Sequence, residues 1–233
     1  TPSPENLRKV HFTYSRNSML YADERDLYRE LSDNKVTDFF ANSFLVEASR
    51  TELPAVYPIF ASGKGEVKQE YRVSTVLYNN GAVLKIPVHK KAEEHIRTIV
   101  RNTAALKEKG LKLLDIKENN GILYSSFHNG ESAQDYFSTL LERNDFKAVC
   151  DFLSAYRNEI EKSSEQSSTG NIVSELDNAA MNMDFGPILK DGYIDLTFYN
   201  AFYENRTFIF YDQEWRFDNV PLLFILFYAV KSS

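Results

Sequence analysis

The sequence predicts an α+β fold in which a small antiparallel sheet is followed by a mainly helical lobe. Three observations carry this. Two strand pairs in the first half are each joined by Asn-Asn-Gly, a strong hairpin turn signal. One amphipathic helical pattern lies between the pairs, and helical periodicity dominates after residue 132. With 233 residues, 43 % hydrophobic and 26 % charged, the chain can bury a sizeable core without disulfides or metals.

The elements follow in order. Tyr71–Tyr78 and Ala82–Val88 alternate like strands around Asn79-Asn80-Gly81. After Pro87 the period lengthens, and Ala92, Ile96, Ile99, Val100, Thr103 and Leu106 share a helical face that Gly110 closes. A second strand pair, around Lys112–Lys117 and Gly121–Phe127, flanks Asn119-Asn120-Gly121. Two helical patterns come next, Ala133–Leu141 and Asp145–Ile160. The second sets Phe146, Val149, Cys150, Leu153, Tyr156 and Ile160 on one side. Thr207–Tyr211 reads as a strand that delivers Asp212 to its end, and Val220–Val230 as a buried helix too short to span a bilayer. Ser163–Gly170 reads as a solvated polar loop. Residues 1–55 read as an extension ending at Leu53-Pro54. With Thr1 in place of Met and a stop soon after the apolar segment, the chain reads as an excerpt from a longer polypeptide.

Charge and composition remove several function classes. A net charge of −6 is the wrong sign for neutralising many nucleic-acid phosphates. The single cysteine, Cys150, can make neither an internal disulfide nor a multi-thiolate zinc site; its place in a helical pattern reads as a small buried hydrophobe in a reducing compartment. The four histidines, His11, His89, His95 and His128, show no metal-ligand spacing and read as surface or cleft residues. Asp212 and Glu214 as a glycosidase pair are better read as one polar face.

The sharpest constellation is Asp195-Leu-Thr-Phe-Tyr-Asn200 followed by Asp212-Gln-Glu-Trp215. Phosphoryl transfer needs such a set: one carboxylate to take the proton of the attacking hydroxyl, and an Asn with a second Asp to hold magnesium against the phosphates. Asp195–Asn200 resembles the catalytic loop D-L-x-x-x-N of the protein-kinase-like superfamily, and Asp212 its metal-binding Asp. Gln213-Glu214-Trp215 is similar to the D-x-E-[WY] of aminoglycoside- and choline-kinase-like members, although Tyr193-Ile194 stand where a His or Arg is usual. Asp184-Phe185-Gly186 spells the protein-kinase metal motif but precedes Asp195, so it reads as a turn before Pro187.

The resemblance implies further roles. Lys85, in Val83-Leu-Lys-Ile, resembles the third-strand lysine that touches nucleotide phosphates. A partner for it is expected on the following helix: Glu93, with Glu108 and His95 as alternatives. Gly121–Phe127 running into His128-Asn-Gly130 resembles the hinge; with Ser125 as gatekeeper, the Ser126 carbonyl and the His128 amide would face adenine. Ala61-Ser-Gly-Lys-Gly65 stands where a nucleotide-covering loop belongs.

The implied fold is therefore a protein-kinase-like two-lobed domain over residues 56–233. Its N-lobe is 56–127, its hinge 125–130, and its C-lobe 131–233 is mainly helical and truncated. Together Ala92–Ile96, Ile194–Asn200, Tyr211–Trp215 and Val220-Pro221 resemble kinase-like domains attached to bacterial methyltransferases and glycosyltransferases of surface-polysaccharide (O-antigen) assembly. On that resemblance residues 1–55 are the tail of a preceding transferase domain. The cofactors are ATP and Mg, and the acceptor is a small-molecule or glycan hydroxyl. The setting is cytoplasmic, peripheral to the inner membrane face through partners. The competing expectation is a pseudokinase-like interaction module that keeps the fold without the transfer.

Overall fold

The computed structural model describes residues 30–31, 33–36, 55–63, 67–168 and 184–231. Nearly all of the expected N-terminal extension, Lys64 and Gly65 of the expected nucleotide-covering loop, and the end of the 163–170 polar patch lie outside the described residues. The chain divides into two compact units, residues 1–61 with 77–80 and residues 62–76 with 81–233. Every site residue discussed below belongs to the second.

The fold is α+β. Strands β1 (Pro58–Gly63), β2 (Val73–Tyr78), β3 (Ala82–Pro87), β4 (Ile116–Asn119) and β5 (Ile122–Ser126) form a five-stranded sheet in the order β1-β2-β3-β5-β4. β5 pairs antiparallel with β3, setting Lys85 opposite Leu123, and with β4, setting Asn119 opposite Ile122. Both central residues of the β4–β5 turn, Asn120 and Gly121, have positive φ (52° and 76°), the requirement of a type I′ hairpin turn. Helix α1 (Glu93–Glu108) separates the strand pairs in sequence. It buries Ile96, Ile99, Thr103 and Leu106, as its periodicity predicts. Ile96 and Ile99 join Val73 and Leu123 in a small core, with Val100 and Ile116 packed against it.

A larger core lies farther along the chain. Helices α2 (Ala133–Glu142), α3 (Phe146–Lys162) and α4 (Leu222–Lys231) surround it, with two small antiparallel pairs: β6 (Ile188–Tyr193) with β9 (Arg216–Pro221), and β7 (Ala201–Glu204) with β8 (Thr207–Phe210). At its centre Phe152 is 1 % exposed and in ring contact with Phe137, Phe198, Tyr203 and Phe208. Truncating such a ring removes its transfer free energy and leaves a void. Phe152→Ala should therefore lower unfolding stability by about 3–5 kcal/mol in urea titrations. In β6, a Cβ on Gly192 would sit 2.4 Å from the Val220 side chain, so only glycine lets β9 approach at that position.

Several expectations are corrected here. The buried stripe of α3 is Phe152, Tyr156 and Ile160. Cys150, about 200° round the helix from Phe152, is exposed, and so is Phe146. The apolar C-terminal helix is buried only at Leu222, Ile225 and Ala229, because one face meets the core; Leu223, Phe224 and Phe227 are exposed. Ser163 and Ser164 are buried, and Ser164 Oγ accepts from the Asp191 amide at 2.8 Å. β4 begins only at Ile116, since Leu111 and Leu113 turn into the larger core. The sequence pattern missed β1, β6, β7 and β9. β6 carries Lys, Asp and Gly, and β9 carries Asp and Asn, so neither shows clean alternation; β7 is only four residues long. Asp184-Phe185-Gly186 is a turn: Asp184 Oδ1 accepts from the Gly186 amide at 2.8 Å, and Gly186 has φ +69°. No helix among the described residues is long and apolar enough to cross a membrane.

Candidate functional site

The segment after β6 shows how local sequence aims the site residues. Leu196 and Phe198 are fully buried in the larger core, which leaves Asp195, Tyr199 and Asn200 to line a cavity. The Tyr156 hydroxyl of α3 donates to the Leu196 carbonyl, and Phe198 packs edge-on against Phe152 and Tyr156. The backbone around Asp195 is therefore held through its neighbours. Asn200 Nδ2 donates to the Asp195 carbonyl at 3.3 Å, closing the loop on itself.

The second segment, 211–215, leaves β8 and crosses the first. Asp212 takes φ +59°, in the left-handed region that non-glycine residues rarely occupy and that clusters at functional sites. Gln213 is fully buried and donates through Nε2 to the carbonyls of Asp195 (3.1 Å) and Tyr211 (2.7 Å), so one amide side chain ties the two segments. The amides of Glu214 (2.8 Å) and Trp215 (2.7 Å) donate to Asp195 Oδ2.

Lys85 reaches this point from β3. Its ammonium is paired with Asp212, and Glu214 Oε1 lies 3.2 Å from Nζ. The three side chains are only 13 %, 25 % and 11 % exposed, which makes the pairing far less screened than a surface ion pair. Burial presses Lys85 toward deprotonation, but the Asp212 and Glu214 carboxylates outweigh it and hold the ammonium above the ordinary lysine value.

Two cavities meet at Lys85. A largely apolar one of about 260 Å³ is lined by Val83, Ile99, Leu113, Ile116, Leu123 and Phe210, with Ser125, Ser126 and His128 at the end of β5. A polar one of about 380 Å³ is lined by Asp195, Asn200, Asp212, Glu214, Tyr71, Tyr199 and Trp215. Thr75, Lys85 and Asp212 border both.

Of the residues picked from sequence, Lys85, Asp195, Asn200 and Asp212 share the polar cavity, and Ser126 and His128 line the apolar one. The His128 ring is tilted against Phe202 (4.5 Å between centroids), and its Nε2 lies 2.9 Å from Glu204 Oε1. Glu93 stands apart. It pairs with Arg97 at 3.3 Å, and its side chain packs under the Gly121 turn. The expected Lys85–Glu93 pair is thus replaced by Lys85 with Asp212 and Glu214. A glutamate in the first helical turn, opposite an arginine one turn on, has a nearer cation to satisfy it. Glu214 is legible in the D-x-E-W spacing, but that spacing does not report its contacts with Lys85 and His95. His95, expected at a surface or cleft, is 4 % exposed and lies 3.3 Å from Glu214.

Burial pushes the Asp195 carboxyl up to about 7, and the nearby charges of Glu214 and Asp212 add to the effect against the two backbone amides. The folded state therefore binds a proton that the unfolded state has released between pH 4 and 7. Asp195 costs stability as pH rises through that window and adds no further change above it. Asp195→Asn, whose amide oxygen can still accept from Glu214 and Trp215, should flatten that part of the curve and melt higher than wild type at pH 8. Melting temperatures across pH 4–8 test this.

Among the described residues no three His, Cys, Asp or Glu side chains form a metal-ligand set of their own. A magnesium ion that arrives with phosphates needs only one or two carboxylates and other oxygens from the protein. Asp212 suits that role, as does the Asn200 amide oxygen, whose own nitrogen is engaged by Asp195. Comparison with protein-family models, curated proteins and solved structures finds no match to the chain.

Proposed function

We propose that the chain is a protein-kinase-like, two-lobed phosphotransferase domain that uses ATP and magnesium to phosphorylate a hydroxyl of a small molecule or glycan. One observation carries the reading. Lys85 and Asp212, 127 residues apart in sequence, meet at the junction of an apolar and a polar cavity, and the polar one also holds Asp195 and Asn200. An adenine ring suits the apolar walls, where the end of β5 offers backbone groups at Ser126 and His128. Triphosphate suits the Lys85 end.

In this mechanism Asp195 orients the acceptor and takes the hydroxyl proton as the oxygen attacks the γ-phosphorus, the bond to the β–γ bridging oxygen breaks, and ADP leaves. A carboxyl held up to about 7 is a matched base near neutral pH. Asn200 and Asp212 would hold magnesium, which supplies charge neutralisation at the phosphates. Lys85 offers its ammonium to the same phosphates. The acceptor we infer is a saccharide hydroxyl of bacterial surface-polysaccharide assembly, on the resemblance of residues 92–96, 194–200 and 211–215.

Thermal melting with ATP and magnesium tests the reading. Ligand at about 100 times its Kd adds about 2.7 kcal/mol, a shift of a few degrees in a domain of this size. Absence of any shift at millimolar ATP and magnesium removes the nucleotide assignment. A shift without transfer to any acceptor leaves the pseudokinase-like interaction module.

A further inference from the structure

Helix α1 sends no carboxylate to Lys85. The two acids of its first turn, Glu93 and Glu94, are engaged by Arg97 and Arg101 on the same helix. It sends instead two buried polar side chains seven residues apart on its inner face. Asn102, 6 % exposed, donates through Nδ2 to the Gln213 carbonyl at 3.0 Å. His95 Nε2 lies 3.3 Å from Glu214 Oε2, while the other carboxylate oxygen, Oε1, lies 3.2 Å from Lys85 Nζ. An ionised carboxylate only accepts, so Nε2 carries the hydrogen. The imidazole is itself fixed by rings: Tyr71 meets it edge-on at 5.3 Å, and Trp215 is tilted against it at 5.2 Å.

We infer that His95 is a positioning residue for Lys85, acting through Glu214. One oxygen of Glu214 is held by α1 and the other meets Lys85 of β3, so Glu214 adds a second fixed carboxylate beside Asp212 only while the helix fixes it. Asn102 secures the same segment by its backbone, so α1 holds residues 213–214 from one side while the Asp195 loop holds them from the other. Without His95, Glu214 loses its orientation, and Lys85 is left with Asp212 as its one fixed carboxylate. This rests on the contacts around Lys85 and not on the phosphotransferase reading, and its test contains no nucleotide.

The test is the rate at which an amine-acylating ester labels Lys85 in the whole chain, followed by peptide mass spectrometry. Lys147, whose side chain is 89 % exposed, serves as internal reference. His95→Leu removes the donor and should raise Lys85 labelling about tenfold relative to Lys147, the scale of a lost hydrogen bond to a charged group. His95→Gln keeps an N–H donor and should restore it to within about twofold of wild type. Glu214→Gln should raise labelling like His95→Leu, and adding His95→Leu to it should change nothing further, because the two act in series. Wild-type labelling in His95→Leu, or multiplying effects in the double variant, overturns the inference. Should His95→Leu fail to fold, His95→Asn, with a shorter reach, replaces it, and equal labelling of the Asn and Gln variants is then the overturning result.

Discussion

Asp195→Asn is expected to reduce phosphoryl transfer by about 10²–10⁴, the range a positioned general base supplies, while ATP affinity stays within about twofold of wild type. The substitution is close to isosteric. The Asn oxygen can accept from the Glu214 and Trp215 amides as Oδ2 does, and Leu196 and Phe198 still anchor the loop in the core. On the proposed mechanism what is lost is the carboxylate that takes the acceptor's proton, which plays no part in holding nucleotide. Labelled ATP with candidate saccharides measures the transfer, and calorimetry the affinity. Equal transfer by wild type and variant would remove Asp195 from the chemistry.

The second large effect is expected at Asp212. Asp212→Ala should weaken magnesium-dependent ATP binding by about a hundredfold or more, since it deletes the one carboxylate assigned to the ion. It also replaces a residue with φ +59°, where alanine is less readily tolerated than Asp or Asn. Asp212→Asn is therefore the better-behaved companion: it keeps the backbone preference and an oxygen while losing the charge. Binding should fall in the order wild type, Asn, Ala when calorimetry is run with and without magnesium. Metal-dependent affinity unchanged in both variants would take Asp212 out of the site.

These two residues also show what kind of information the chain carries in one dimension. Asp195 to Asn200 is a local motif, and the alternation of buried and lining residues that aims it follows from the apolar character of Leu196 and Phe198. Helix α1 and the two hairpins were legible for the same reason, since periodicity and the Asn-Asn-Gly turns act over a few residues. By contrast, β6 and β9 pair across more than twenty residues of intervening chain, and their polar, irregular sequences are stabilised by each other rather than by intrinsic preference.

The sequence by itself determined the residue types and their order: a strand lysine, then Asp195, Asn200 and Asp212, in a chain of net charge −6. Only the tertiary structure decided who pairs with whom. Glu93 was the nearest acid to Lys85 along the helix, yet Arg97 one turn away satisfies it, while Asp212 and Glu214, 127 and 129 residues from Lys85, supply the buried partners, and His95 lies against Glu214. The physical reason is that an ion pair is set by distance and desolvation in space. Both depend on how α1, β3 and the segment after β8 pack together, and no spacing along one of them reports it.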